Sequence, residues 1–299
     1  MTAEPHNVLV LGAASWNRMV YVDALPQGRS TTLFNASERE GVGSTGAGKA
    51  MALAELSYKP VLQCVLGDDP HGRQVQAACA ERGIEMLVDV QTDPTPHHLN
   101  IMDRAGGRYS LFLSNGPDHP ALDLDRAANA IRGADTIFLS LAQSSRKLLL
   151  LLGRTKAEIL LDLHDYDGAN PWYDAFIEHA DVIQLSDVAL PKPEPVVAKL
   201  LSGRAHTIVV THAEKGASIH RREGNTYVPP CFAQMQDSNG AGDAFSVALW
   251  HALRVGFSLT DAGRFAAAAA AFAIEDWALF PARVGPDAIL KRAALPRQS

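Results

Sequence analysis

The sequence predicts an α/β protein, in which a doubly wound, mostly parallel sheet is flanked by helices and carries a small antiparallel β lid. Short, almost wholly apolar runs alternate with longer amphipathic segments along the chain, as expected when crossover helices join parallel strands. Two segments, 17–42 and 96–113, interrupt this alternation and show the mixed faces of half-exposed strands.

Each element follows from its local pattern. Buried strands are expected at 8–11, 61–65, 136–139, 159–163, 182–184 and 208–211, where apolar residues would cover both faces. Helices are expected at 47–56, 72–82, 122–131, 144–152, 193–201, 241–255 and 260–275. The lid strands are NRMVYVD, STTLFNASERE, HHLNIMD and, after a turn at 105–107, RYSLFL. The sequence shows no repeat or linker, so residues 1–299 are expected to form one domain with the lid inserted.

Composition excludes several functional classes. The 299 residues are 47% hydrophobic and 20% charged, and they contain no charge-free run of 18 apolar residues, so we expect neither a disordered nor a membrane-spanning protein. The net charge of −6 comes without a basic stripe, which argues against nucleic acid as a partner. Three widely spaced cysteines and a polar amino terminus without a signal-peptide pattern predict a cytoplasmic location.

The strongest local signal is the string DSNGAGD at 237–243, which precedes a helix with apolar periodicity. Gly240, Ala241 and Gly242 leave backbone N–H groups unobstructed at the positive end of that helix, where they can hold an anion such as phosphate. Asp243 falls in the first turn, where its carboxylate can accept a proton from an attacking hydroxyl. For a generic GxGD string, the alternative is a tight turn whose aspartate only complements the helix dipole.

This string resembles the signature D-[TS]-x-G-A-G-D of the ribokinase-like (PfkB) carbohydrate kinases at every fixed position. Further likeness follows in chain order and covers about the whole chain: VLVLG and VYVDALP near the start, the stretch 43–56, GDDPHG at 67–72, VTHAEKG at 210–216, and the alanine-rich helix at 265–274.

The resemblance implies a ribokinase-like kinase that transfers the γ-phosphoryl of ATP to a hydroxyl of a small sugar, sugar acid or polyol. Asp243 would be the general base, and the N–H groups of residues 240–242 would stabilise the phosphoryl charge. Magnesium would arrive with ATP, and a monovalent cation such as K⁺ would bind near Asp237 and Ser238. The implied nucleotide-binding residues are Thr211, Gly216, Ser186, Asp187 and Asn239.

The segment GVGSTGAGKA at 41–50 invites two rival readings, a Walker A loop and a dinucleotide-binding fingerprint. Both need a buried strand just before the motif, and the Walker loop also needs a hydroxyl where Ala50 stands. By resemblance the segment matches the family's G-G-x-G-A-N. Its implied substrate-binding residues are Gly43, Ser44 and Gly48.

Asn17 matches a substrate-binding aspartate of the family, and Arg18 beside it could pair with an anionic substrate group. The alternative for both is an exposed lid residue. Because an amide replaces a carboxylate at position 17, the substrate's hydroxyl pattern or charge is expected to differ from that of the family's sugars.

Other positions depart from the family pattern. Residues 186–189 replace its N-x-x-E, Ala213 replaces a glycine, and Ala267 replaces an asparagine. The stretch 162–166 takes the place of D-x-N-x-R, and its polar groups are expected to be loop groups rather than a metal site.

These departures keep two alternatives open. One is a nucleoside kinase of the same fold, with Trp16, Tyr109 and Phe112 available as an aromatic wall. The other is a catalytically weak binding protein that kept Asp243 but lost nucleotide contacts. We also expect a homodimer formed through the edge of the lid.

Overall fold

A computed structural model describes residues 6–104 and 107–297. The amino-terminal stretch 1–5 and most of the turn expected at 105–107 lie outside this range. The strands are β1 Val8–Leu11, β2 Ser15–Val22, β3 Ser37–Gly43, β4 Val61–Gly67, β5 Glu85–Gln91, β6 His97–Asp103, β7 Arg108–Ser114, β8 Thr136–Ser140, β9 Glu158–Asp162, β10 Val182–Ser186, β11 Thr207–Thr211, β12 Ala217–Arg221 and β13 Gly224–Val228.

The α-helices alternate with the strands of the larger sheet. They are α1 Thr45–Glu55, α2 Pro70–Glu81, α3 Leu124–Gly133, α4 Gln143–Leu152, α5 Asp174–Ile177, α6 Glu194–Ser202, α7 Ala241–Arg254, α8 Leu259–Ile274 and α9 Pro286–Ala293. All six predicted buried strands and all seven predicted helices are present, with ends shifted by at most a few residues.

The larger sheet has the strand order β13-β12-β11-β10-β9-β8-β1-β4-β5 among the described residues. Neighbours from β11 to β5 pair in parallel, whereas β12 and β13 add an antiparallel hairpin at one edge. One apolar core lies between this sheet and α1, α2, α7 and α8, and a second lies between its other face and α3 to α6. This confirms the doubly wound α/β architecture.

Some elements were not predicted. The edge strand β5 has a mostly half-exposed burial pattern, so its sequence EMLVDVQ lacks the apolar run of a buried strand. The strands β12 and β13 and the short helices α5 and α9 were also missed. Within the expected strand STTLFNASERE, only the part from Ser37 onward forms a strand.

The lid is the second sheet, in the order β3-β2-β6-β7. Its outer pairs are antiparallel, but the central pair of β2 and β6 is parallel. These two strands follow β1 and β5, which run in the same direction in the larger sheet. Both therefore leave the carboxyl edge of that sheet with the same orientation, which places the lid over that edge.

Candidate active site

The amino terminus of α7 presents unpaired backbone donors to the carboxyl edge of the sheet. Gly240 precedes the helix in a left-handed conformation with φ of 81°, and no side chain caps the helix. A Cβ at this position would lie 2.0 Å from the Leu279 carbonyl oxygen, so only glycine fits. The first helical bond runs from the Ala244 N–H to the Gly240 carbonyl, which leaves the N–H groups before residue 244 available to an anion.

Asp243 is buried in the first turn of α7 and belongs to a cluster of charged side chains. The Lys49 ammonium lies 2.5 Å from Asp243 Oδ1 and 3.0 Å from Asp162 Oδ2. It also donates to the Thr45 hydroxyl at 2.7 Å, and that hydroxyl donates to Asp243 Oδ1. The base expected from the sequence is therefore bound to α1 and, through Lys49, to β9.

The ionisation of this cluster follows from its geometry. Burial opposes the charged form of Lys49, but the two carboxylates outweigh it and raise its pKa. Burial alone would raise the pKa of Asp162, yet the nearby His164 and Lys49 lower it to about 2. The ammonium and the Asp162 carboxylate are therefore both charged at neutral pH.

Gly48 makes the close approach of α1 to α7 possible. A Cβ at Gly48 would lie 2.5 Å from Asp243 Oδ2, so any other residue would push the carboxylate away. Gly48, expected to bind substrate, lies directly against the Asp243 carboxylate.

The other residues expected to bind substrate meet on the lid side of Asp243. Asn17 is buried, and its Oδ1 accepts a hydrogen bond from the His98 N–H at 3.3 Å. A Cβ on Gly43 would lie 1.9 Å from Asn17 Nδ2, so glycine is required there. Ser44 keeps a positive φ of 72° although it is not glycine, and its hydroxyl pairs with the Ser15 hydroxyl at 2.7 Å.

A cavity of about 110 Å³ joins these lid residues to Thr45, Gly240 and Asp243. We call this group the catalytic corner, because it contains the predicted base. The lining of the cavity includes Asn17, Ser44, Thr45, Gly240 and Asp243. A hydroxyl placed in this cavity would lie between the amide of the lid strand and the carboxylate of α7. The cavity therefore brings together residues that the sequence predicts to bind substrate and the residue that it predicts to be the base.

A wider cleft of about 440 Å³ opens outward and shares Asn17, Ser44 and Thr45 with the inner cavity. Amides and small hydroxyls dominate its polar lining, including Asn100, Asn115, Ser110 and Gln143.

Two aromatic rings form one wall of this cleft, because His98 packs on Phe112 with ring centroids 4.0 Å apart. Burial, and after it the neighbouring His97, lowers the pKa of His98 to about 4. The ring is therefore neutral at physiological pH. Arg108 lines the same cleft and donates to Asn239 Oδ1 at 2.7 Å, which connects β7 to the loop before α7.

Arg18, which was expected to pair with an anionic group of the substrate, pairs with carboxylates of the protein instead. Its guanidinium is about half exposed and pairs with Glu40, with Glu38 3.7 Å away. The Trp16 indole N–H also donates to Glu40. The expectation that Arg18 meets an anionic substrate group is not supported, because two carboxylates of β3 already neutralise it.

The residues expected to bind nucleotide separate into two places. Ser186 and Thr211 end β10 and β11, and Asp187 follows directly, with its carboxylate 2.7 Å from His212 Nδ1. Gly216 follows the turn at 213–215 with φ of 88°, where a Cβ would lie 2.2 Å from a backbone oxygen.

This group borders the start of α7, because the Gln184 amide of β10 donates to the Gly242 carbonyl at 2.9 Å. Asn239, by contrast, lies on the lid side beside Arg108. The structure thus places four of the five expected nucleotide residues along the ends of β10 and β11, and the fifth at the substrate cleft.

Asp237 and Ser238, expected near a monovalent cation, differ in burial. Asp237 is buried, and its two oxygens accept from the Tyr21 hydroxyl at 2.9 Å and the Asn239 N–H at 2.8 Å. Burial and the Asp237 charge raise the pKa of Tyr21, so the phenol keeps its proton and donates. Ser238 is exposed. No group of three or more His, Cys, Asp or Glu within the described residues is arranged to hold a metal ion.

Sequence reasoning missed two members of the charged cluster. In the sequence, Lys49 was noted only as part of a possible Walker A loop. The strand before that motif is the exposed lid strand β3, whereas both rival motifs need a buried strand at that place. Asp162 was expected among loop groups, whereas it is the buried last residue of β9. One available signal was a lysine inside the otherwise apolar sequence AGKAMALA, since such a helix is buried and a buried lysine needs a partner.

No helix in the described parts of the chain is both long and apolar enough to cross a membrane.

Comparison with known proteins agrees with the geometry. The pattern of the pfkB family carbohydrate kinases matches residues 6–277. The acarbose 7(IV)-phosphotransferase of Actinoplanes sp. is 28% identical over 303 residues, covering 98% of this chain and 100% of that protein. The microbiome-derived acarbose kinase Mak1 superimposes with a TM-score of 0.84 at 27% identity, covering 97% of this chain and 99% of that one. The ribokinase of Arabidopsis thaliana, solved with ribose and ATP, shares the fold with a TM-score of 0.79 at 20% identity over 97% and 99% of the two chains.

Proposed function

This chain belongs to the pfkB family of carbohydrate kinases and phosphorylates a sugar-like substrate with ATP; on that premise we propose that Asp243 is its general base. The substrate hydroxyl would enter the 110 Å³ cavity, give its proton to Asp243 and attack the γ-phosphorus of ATP in line, while the bond to the bridging oxygen breaks and ADP leaves. The N–H groups of residues 240–242 would stabilise the charge that develops on the transferred group.

The observation that carries this proposal is the shared lining of that cavity. Asn17 and Ser44 from the lid side face the same space as Gly240 and Asp243 from the helix side. Positioning and charge stabilisation account for most of phosphoryl-transfer catalysis, and this space supplies both. The lid above it would exclude water that otherwise competes with the sugar hydroxyl.

Replacing the base tests the proposal. Asp243→Asn keeps the shape of the side chain but removes its capacity to take a proton, so kcat should fall by a factor on the order of 10² to 10⁴. The Kd of ATP should stay within about threefold of the wild type. The matched control is Asp125→Asn, which changes an exposed first-turn aspartate of α3 and should leave kcat unchanged. Unchanged turnover of Asp243→Asn would show that another group is the base.

Magnesium bound to ATP would neutralise charge on the phosphates. Its hard oxygen preference fits Asp187, a partly exposed carboxylate just beyond β10 that replaces the acidic residue of the family's N-x-x-E. Ser186, Thr211 and Gly216 would line the same nucleotide edge. The 2.7 Å contact between Asp187 and His212 would keep this carboxylate oriented.

Asp237, the residue expected beside a monovalent cation, is already held by two donors of the protein. Both carboxylate oxygens already accept hydrogen bonds, one of them from Tyr21 of the lid. No step of the proposed reaction therefore passes through K⁺.

We propose an uncharged carbohydrate as the substrate, because amides and hydroxyls dominate the polar lining of the wide cleft. The cleft extends well beyond the inner cavity, so a sugar chain can fill it while one hydroxyl reaches Asp243. Acarbose, the substrate named for two of the relatives, is the first compound to test, beside ribose and free nucleosides. Phosphorylation of nucleosides in preference to all sugars would contradict this assignment.

Of the three aromatic residues that could bind the base of a nucleoside, two do not line the cleft. Residues 108, 110 and 112 of β7 face the cleft, so Tyr109 lies on the opposite face of the strand. The Trp16 indole N–H is bound to Glu40 at the outer side of the lid. Phe112 is thus the one of the three expected aromatic residues in the cleft lining, where it can stack on a sugar ring as well as on a base.

A second copy of the chain is the proposed partner of the lid edge. The outer face of β7 exposes Tyr109, Leu111 and Leu113, and β7 has a free edge in the four-stranded sheet. Leu113→Asp should shift the mass measured by light scattering from dimer to monomer. Leu150→Asp, at an equally exposed leucine of α4, should not. A wild-type monomer at micromolar concentration would exclude this partner.

We further propose that the chain acts as one kinase domain with its lid, in the cytoplasm. The cysteines are free thiols, two of them buried. A reducing compartment would keep them in that state.

A further inference from the structure

Lys49 is the most deeply buried charged side chain of the site. Its side chain is 1% exposed, and its two carboxylate partners, Asp162 and Asp243, are 5% and 9% exposed. Lysine is almost never buried to this extent unless it is paired, because removing the ammonium from water is costly. The proposed mechanism assigns no role to this ammonium, although it touches the base.

Three elements bring the cluster together. Thr45 and Lys49 are four residues apart and so share one face of α1, which Gly48 allows to approach α7 closely. Asp162 ends β9 and holds the ammonium from the opposite side at 3.0 Å. The backbone N–H of His164 holds the other oxygen of Asp162 at 3.0 Å, so this carboxylate is itself fixed.

The two oxygens of Asp243 differ as a result. Oδ1 receives both the Lys49 ammonium and the Thr45 hydroxyl. Oδ2 receives no hydrogen bond from any described residue. It lies close to the backbone of Gly48, where a Cβ would come within 2.5 Å of it. Oδ1 is thus bound to the protein, whereas Oδ2 has no donor among the described residues, and Asp243 lines the 110 Å³ cavity.

We propose that Lys49, anchored by Asp162, is a positioning residue that holds the Asp243 carboxylate with Oδ2 turned to the substrate hydroxyl. This inference rests on the proposed role of Asp243 as the base. One ammonium between two carboxylates leaves one net negative charge in the cluster. That charge is what a base needs when it takes the hydroxyl proton.

A purely structural ion pair would not need this arrangement, since a single carboxylate would neutralise the lysine. The second carboxylate anchors the ammonium from β9 while Asp243 keeps its charge. Displacement of a reacting group by about 1 Å can cost on the order of 100-fold in rate. Losing the ammonium should therefore slow the chemical step far more than it weakens substrate binding.

The first test is Lys49→Met, which keeps the length of the side chain and removes its charge. We expect kcat to fall on the order of 100-fold, with the KM values for ATP and sugar within about threefold of the wild type. Lys199→Met, at an exposed lysine of α6, is the matched control and should leave kcat unchanged.

Lys49→Met also leaves two buried carboxylates without a counter-ion, so its melting temperature should fall. The double variant Lys49→Met/Asp162→Asn removes one charge of each sign and keeps the net charge of the cluster. It should recover most of the melting temperature but not kcat, because Asp243 keeps its carboxyl group but loses its anchor.

The outcomes separate the two proposals. Recovery of wild-type kcat in the double variant would overturn the positioning role and leave Lys49 with a role in stability alone. The same holds if Lys49→Met turns over normally while Asp243→Asn is inactive. If Asp243→Asn itself retains full turnover, the assigned base is wrong and the positioning role falls with it. A slow double variant with near-normal stability and KM supports the inference.

Discussion

The catalytic corner and the nucleotide edge of this kinase are held by different kinds of interaction. At the corner, buried charges fix Asp243 from α1 and β9 and are almost wholly shielded from solvent. At the edge, Asp187 and His212 form a partly exposed pair, with side chains 36% and 19% accessible. Exposed pairs are screened by water and contribute little, whereas a buried charge without its partner is costly. The corner should therefore tolerate substitution poorly, and the edge should tolerate it well.

In both regions, a residue other than glycine stands where the family has glycine, and in both it keeps a left-handed backbone conformation. Ser44 at the corner and Ala213 at the edge replace glycine, yet both keep a positive φ, of 72° and 49°. The left-handed backbone conformation is thus present at both positions although neither residue is glycine. This strain is of the order of 1 to 3 kcal/mol for each residue and is compatible with a functional site.

The largest effect is expected at the turn before α7. Gly240→Ala would place a Cβ against the Leu279 backbone, so the turn must move and the N–H groups with it. We expect kcat/KM to fall at least 100-fold in steady-state assays. The matched control is Gly242→Ala, whose Cβ would meet only the Gln184 amide at 3.4 Å and should change kcat/KM less than fivefold. A larger loss at Gly242 would move the critical contact to that position.

A smaller effect is expected at the nucleotide edge. Asp187→Asn removes the charge that pairs with His212 and that would face magnesium, so the KM for ATP should rise about fivefold to tenfold. The kcat value should stay within about threefold, because Asp243, the proposed base, is untouched. A loss of kcat comparable to that of Lys49→Met would show that Asp187 contributes to the chemical step as well as to nucleotide binding.

Stability should fall as the pH drops from 6.5 to 4. Burial lowers the pKa of His98 and of His251 to about 4. Between pH 6.5 and pH 4 these two histidines are therefore protonated in the unfolded chain but neutral in the folded chain. The stabilisation is complete above pH 6.5 and is lost as the pH falls through 4. In urea titrations, His251→Gln should make this pH dependence shallower, while His119→Gln at an exposed site should not. An unchanged slope in His251→Gln would contradict the origin assigned to it.

The smallest effect concerns the cation. Because Tyr21 already donates to Asp237, replacing K⁺ by choline in the assay should change kcat/KM less than twofold. Tyr21→Phe frees one carboxylate oxygen and should make the enzyme more responsive to K⁺. Strong activation of the wild type by K⁺ would show that the Tyr21 contact opens when a cation binds.

Local patterns were enough to predict most of the fold. Buried parallel strands are continuous apolar runs, so β1, β4 and β8 to β11 were predictable, whereas the half-exposed β5 and the hairpin of β12 and β13 were not. The parallel pairing of β2 with β6 was also out of reach, because it depends on where β1 and β5 lie in the larger sheet. Periodicity reports which face of a strand is buried, not which strand lies beside it.

The sequence by itself determined the fold class and the place of the proposed base, because the string at 237–243 and the alternation of apolar runs are written in neighbouring residues. Only the tertiary structure decided that Lys49 meets Asp162 and Asp243, which are 113 and 194 positions away. Contacts over such separations arise from the packing of α1 and α7 on the sheet. No local spacing encodes them, and so the residue that orients the base became visible only in three dimensions.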